Sequence, residues 1–125
     1  MTPSSSKKAE RERLPDVRLG KIHKFSISGH EGYICVGEYE DGRPGELFVK
    51  MSKQGSTMSG LMDTIGILTS ISLQSGVPVA TLAAKLEHMS FEPSEPGKAD
   101  SVIDYIFRWL GREYGDTDLS VPVDS

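Results

Sequence analysis

The feature that most constrains the fold is a change of hydrophobic period near residue 55. From Lys21 to Met51 the chain reads "KIHKFSISGHEGYICVGEYEDGRPGELFVKM", and apolar residues alternate with polar ones in three runs. Phe25 and Ile27 share one side of the first run, Ile34 and Val36 of the second, and Leu47, Val49 and Met51 of the third. A period of two places alternate side chains on opposite faces of a strand. Between the runs, Gly29 to Gly32 and Asp41 to Gly45 supply the glycine and proline conformations of tight reversals. The pattern predicts a three-stranded antiparallel meander with His30 and Glu31 in its first turn.

Past Gly55 the spacing becomes helical. In "STMSGLMDTIGILTSISLQSG", Met58, Leu61, Met62, Ile65, Leu68 and Ser72 recur at steps of three and four, and Ile67 and Ile71 widen the apolar face. This predicts a largely buried helix, capped by Ser56 or Thr57 and ended by Gly76. A shorter helix through "VATLAAKLEHM" turns Leu82 and Leu86 inward, and a proline-bearing loop runs from Phe91 to Gly97. The last helix, "DSVIDYIFRWLGREY", buries Val102, Ile103, Ile106, Phe107 and Leu110. The fold class expected is α+β, a three-stranded antiparallel meander followed by about three helices packed on one face.

The ends differ from this middle. Residues 1–13 carry four basic and two acidic side chains and no run of large apolar ones, so they read as a disordered arm that cannot offset its ordering entropy. Residues 113–125 carry Asp116, Asp118 and Asp124, are interrupted by Pro122, and read as a disordered acidic tail. A single domain over residues 14–112 lies between. The net charge of −4 argues against a chain that coats nucleic acid, so no direct DNA binding is expected. One cysteine excludes an internal disulfide. No apolar run reaches membrane-spanning length and Met1 to Ser6 does not resemble a signal peptide, so a cytoplasmic chain without a membrane partner is expected.

Few residues carry chemistry. Cys35 lies between Ile34 and Val36 and is expected to be buried and inert, so that Cys35→Ala or Cys35→Ser preserves function with a modest loss of stability. His23, His30 and His88 show no metal-ligand spacing, so no metal site is expected. Lys53, Gly55, Ser56 and Thr57 put a lysine, a glycine and two hydroxyls at a helix start. That group either holds a nucleotide phosphate or other anion, or merely turns and caps the helix. Asp63 is expected to point to solvent. Arg108 and Trp109 are either partner contacts or, for the indole, the closing edge of the core.

The strings "RLPDVR", "HKFSISGHEGYICVGEYEDGRPGELFVKMSKQGSTMSGLMDTIGILTSISLQSGVP", "FEPS" and "SVIDYIFRWLG" resemble the TSCPD domain, the C-terminal accessory region of adenosylcobalamin-dependent (class II) ribonucleotide reductases. The resemblance implies a role in deoxyribonucleotide synthesis beside a large catalytic reductase chain. That chain would hold the adenosylcobalamin and the radical and reducing cysteines, which a chain with one cysteine cannot supply. No catalytic residue and no directly bound cofactor are therefore expected here. The resemblance is consistent with a stand-alone subunit, and a homo-oligomer or a nucleotide-binding module is the alternative. His30, Glu31 and Tyr33 then read as polar contacts to a partner rather than an acid–base pair.

Overall fold

The computed structural model describes residues 10–117. Three strands, β1 (Gly20–Ile27), β2 (His30–Glu38) and β3 (Pro44–Met51), form one antiparallel sheet in the order β1-β2-β3. Helices α1 (Ser56–Gln74), α2 (Val79–Leu86) and α3 (Val102–Tyr114) follow, with a short 3₁₀ turn at Gly115–Thr117. The α+β meander-then-helices architecture is as the sequence predicts.

The first reversal is tighter than expected. Ile27 pairs with His30, so the turn is only Ser28 and Gly29, both at positive φ (49° and 84°). Two left-handed residues match the twist of a two-residue hairpin. His30 and Glu31 therefore belong to β2, not to the turn. The second reversal spans Tyr39 to Arg43, with Gly42 at φ 92° and the Asp41 carboxylate accepting the Arg43 N–H at 3.1 Å.

The side chains of Phe25, Ile27, Ile34, Val36, Leu47 and Val49 face the helices and are buried. Helix α3 lies over β1 and β2: Tyr105 stacks on Phe25 with ring centroids 4.9 Å apart, and Trp109 on His23 at 5.2 Å. The Tyr114 hydroxyl donates to Glu38 at 2.5 Å. Burial and the neighbouring Glu38 carboxylate hold that phenol far above its ordinary pKa, so it stays a donor.

Helix α1 runs beside β3 and hides its outer edge. Gly66 is buried so tightly that a Cβ there would meet the Leu47 carbonyl oxygen at 2.8 Å. One turn on, the Ser70 hydroxyl accepts the Leu47 N–H at 2.9 Å and donates to the Leu47 carbonyl at 3.3 Å. Gln74 Nε2 donates to the Gly45 carbonyl at 2.9 Å. Helix side chains thus satisfy edge groups that would otherwise be open to another strand. Ser70→Ala is expected to cost about 1–2 kcal/mol, because a buried N–H loses its partner; a urea unfolding midpoint indistinguishable from that of the original chain contradicts this.

Three expectations for α1 need correction. Its N-cap is Gly55, with extended backbone and no side-chain cap bond, so neither Ser56 nor Thr57 caps it. The left-handed residue of that loop is Lys53 (φ 59°), whereas Gly55 has φ −72°. The helix is also not largely buried: Met62, Gly66, Thr69 and Leu73 face inward, while Leu61, Ile67, Leu68 and Ile71 are exposed. The expected stop at Gly76 is present. At φ 95° its N–H bonds to the Leu73 carbonyl and that of Val77 to the Ser72 carbonyl, closing a Schellman motif.

Of the expected arm and tail, residues 1–9 and 118–125 lie outside the described residues. Arg11 donates to the Gln74 side chain at 2.8 Å, and the Glu12 carbonyl accepts the Tyr39 hydroxyl at 2.6 Å. Arg43 ties this segment down, pairing with Asp41 at 2.9 Å and Glu12 at 3.0 Å over the Tyr39 ring.

Candidate interaction surface

The residues expected at the start of α1 lie apart from any enclosed pocket. Lys53, Gly55, Ser56 and Thr57 are exposed. A shallow hollow of about 340 Å³ adjoins them, lined by Gly29, His30, Glu31, Ser52, Lys53 and Gln54. Gln54 Nε2 lies 3.1 Å from His30 Nδ1, so the imidazole orients the amide. The hollow brings Lys53 together with His30 and Glu31. A carboxylate in its wall opposes the binding of an anion.

Arg108 and Trp109 are adjacent in sequence but do different work. Trp109 is 5 % exposed, packed against His23 and edge-on to Tyr114, so it belongs to the core. Arg108 is half exposed and turned onto Asp104, one helical turn earlier. Asp104 is fully buried, and its two oxygens accept from four groups: the Asp100 and His88 backbone N–H groups, Arg108 Nε and Arg108 Nη2. Burial raises the carboxyl pKa, but the Arg108 bonds and the two backbone N–H groups outweigh it and hold the pKa at about 2. Ser101 caps the same helix by accepting the Asp104 N–H at 2.9 Å, while its own hydroxyl bonds to the Met89 carbonyl. Ser-x-x-Asp before an apolar run is a capping signature, and the i,i+4 acid–arginine pair was also visible in the sequence.

His88 Nδ1 lies 3.8 Å from Asp100 and 3.9 Å from Asp104, the one cluster of three potential metal ligands among the described residues. Because Asp104 is already committed to four N–H donors, two of them from the cationic Arg108 guanidinium, the cluster suits a structural lock better than a cation site.

The other face of the sheet was not anticipated. Register places Ile22 opposite Cys35 and Cys35 opposite Phe48, with Lys24, Tyr33 and Lys50 in the neighbouring row. Ile22 is 76 % exposed, Phe48 51 % and Tyr33 39 %. Cys35 is half-buried on this face rather than in the core. Its neighbours Ile34 and Val36 point the other way, which corrects the expectation of a buried thiol. Asp63 is exposed, as expected, 3.7 Å from Lys50 Nζ.

No described helix is long and apolar enough to cross a membrane. The family model for the TSCPD domain matches residues 5–114. Over 110 residues the chain is 54 % identical to a vitamin B12-dependent ribonucleotide reductase of Rhodopirellula baltica, covering 83 % of this chain and 11 % of that protein. The protein of the same description from Streptantibioticus cattleyicolor is 44 % identical, with 83 % and 18 % covered. That from Agrobacterium fabrum is 37 % identical, with 89 % and 9 % covered. The chain thus spans less than a fifth of the length of these relatives. No solved structure matches it. With a family match running through nearly all of its described residues, the chain belongs to the TSCPD domain family.

Proposed function

We propose that this chain is a non-catalytic accessory domain or subunit that docks on the large catalytic chain of a vitamin B12-dependent ribonucleotide reductase and supports the reduction of ribonucleotides to deoxyribonucleotides. The observation that carries the reading is the 54 % identity between most of this chain and an 11 % segment of such a reductase. The structure is compatible with it in a specific way. The one thiol faces out of a strand with no second cysteine to pair with, and thiol-based ribose reduction needs several cysteines in one site. Any adenosylcobalamin belongs to the larger chain in this reading.

The test mixes the purified 125-residue chain with the cobalamin-dependent reductase chain of the same cell and measures binding and turnover. Binding at micromolar concentration or tighter is expected, with a change in turnover. Absence of any complex at tens of micromolar rejects the reading.

A further inference from the structure

Resting on that reading, we infer that the uncovered face of the β-sheet is the surface through which the domain docks, and that its occupant is an apolar segment of the large reductase chain flanked by carboxylates. An antiparallel sheet with one solvated face normally shows polar residues outward. Here the outward positions at the centre of the sheet are Ile22, Cys35 and Phe48 in one cross-strand row, with Tyr33 at the centre of the next. All three helices contribute to the core on the opposite side, and none of the described elements covers this row. Val17 and Leu19, just before β1, are also exposed.

Area and charge identify the occupant. Three strands about 4.8 Å apart and four rows of outward residues about 6.8 Å apart give a face of roughly 400 Å². Two copies meeting on it would bury roughly 800 Å² in total, short of the roughly 1,200 Å² at which stable specific interfaces begin. A large chain can also wrap around the exposed Val17 and Leu19 beside the face and so bury more area than a second copy meeting it face to face. In the relatives, a segment similar to this chain is 11 % or 18 % of one long protein, so such a neighbour is covalently present there. Tyr33 is flanked in its row by Lys24 and Lys50. Lys24 has no acidic partner among the described residues, and Lys50 has only the exposed Asp63. The carboxylates of the same face lie in its two outer rows, Glu46 held by Arg18 and Glu31 opposite Ser26. The two lysines beside the apolar row are thus the charges at its centre and fit a segment carrying acidic side chains next to its apolar anchors.

Cys35 provides the measurement, because it is the sole thiol and sits in the middle of the apolar row. Alkylation of the intact chain is followed by its mass, alone and with saturating reductase. Protection of Cys35 by about tenfold or more is expected. Phe48→Asp and, as a milder variant, Ile22→Thr should weaken binding at least about tenfold and about threefold, with unchanged circular dichroism, while Leu68→Asp on the outer face of α1 leaves it within about twofold. If the original chain binds but Cys35 alkylates at its free rate and Phe48→Asp binds equally well, the sheet-face inference is overturned while the accessory role stands. If the original chain does not bind, both fall. Protection that rises with the concentration of this chain alone, together with a dimer abolished by Phe48→Asp, assigns the face to a second copy and overturns the proposed occupant.

Discussion

Replacing Asp104 by alanine is expected to remove about 3–5 kcal/mol of stability, the scale for breaking a buried, hydrogen-bonded ion pair from one side. The carboxylate organises two loops and a helix start at once. Its loss leaves the His88 and Asp100 N–H groups and the Arg108 guanidinium without their acceptor, and empties a fully buried site. The melting temperature should fall by roughly 15 °C or more for a domain of this size. Arg108→Ala should cost less, because Asp104 would keep both backbone donors while the half-exposed arginine is removed entirely. Equal losses from the two substitutions, or a change below about 1 kcal/mol for Asp104→Ala, would show that the lock is incidental.

The same carboxylate sets a direction for acid stability. Its pKa is about 2 in the folded chain against an ordinary 3.8, so the folded state holds it ionised more strongly than the unfolded state does. The contribution is fully present above about pH 5 and is lost progressively as pH falls from about 4 to about 2, amounting to about 2 kcal/mol. The Asp104→Ala chain should lack this part of the acid transition, so the stability difference between the two chains narrows as pH falls.

The inner face of the sheet was legible because alternation is a strict rule: once Ile34 and Val36 point inward, no neighbour in the strand can. Applied consistently, that rule also places Cys35 outward with Ile22 and Phe48. The expectation of a buried thiol weighed its sequence neighbours instead of its parity. Helix α1 misled for a different reason. It is apolar around most of its circumference, and a periodicity built on large side chains selects the side with Leu61 and Leu68. The side that meets β3 is lined by Gly66, Thr69 and Ser70, whose small size permits the close approach but gives no hydrophobic signal. The first turn was misjudged by two residues because Ser28 takes a left-handed conformation beside Gly29, and serine advertises that less clearly than glycine or asparagine. The docking face was legible only in retrospect, since exposure depends on where the helices pack.

Gly66→Val should therefore be far more damaging than its glycine-to-larger character in a helix suggests. Intrinsic propensity alone favours almost any residue over glycine by up to about 1 kcal/mol. At this position, however, the added Cβ would meet a backbone carbonyl at 2.8 Å, and the neighbouring atoms are the Leu47 carbonyl carbon and the Phe48 Cα, both 3.7 Å away. Backbone cannot rotate aside as a side chain does, so α1 must lift from β3, which also stretches the Ser70 bonds to Leu47. A net loss of about 2–4 kcal/mol is expected, as for overpacking that displaces a main chain. Gly60, six residues earlier in the same helix, has nothing within 4 Å of a Cβ. Gly60→Ala should accordingly stabilise by about 0.5–1 kcal/mol. Opposite signs at two glycines of one helix, read from urea unfolding midpoints, test the packing of α1 on the sheet edge directly; equal and favourable effects would mean that α1 does not approach β3 this closely.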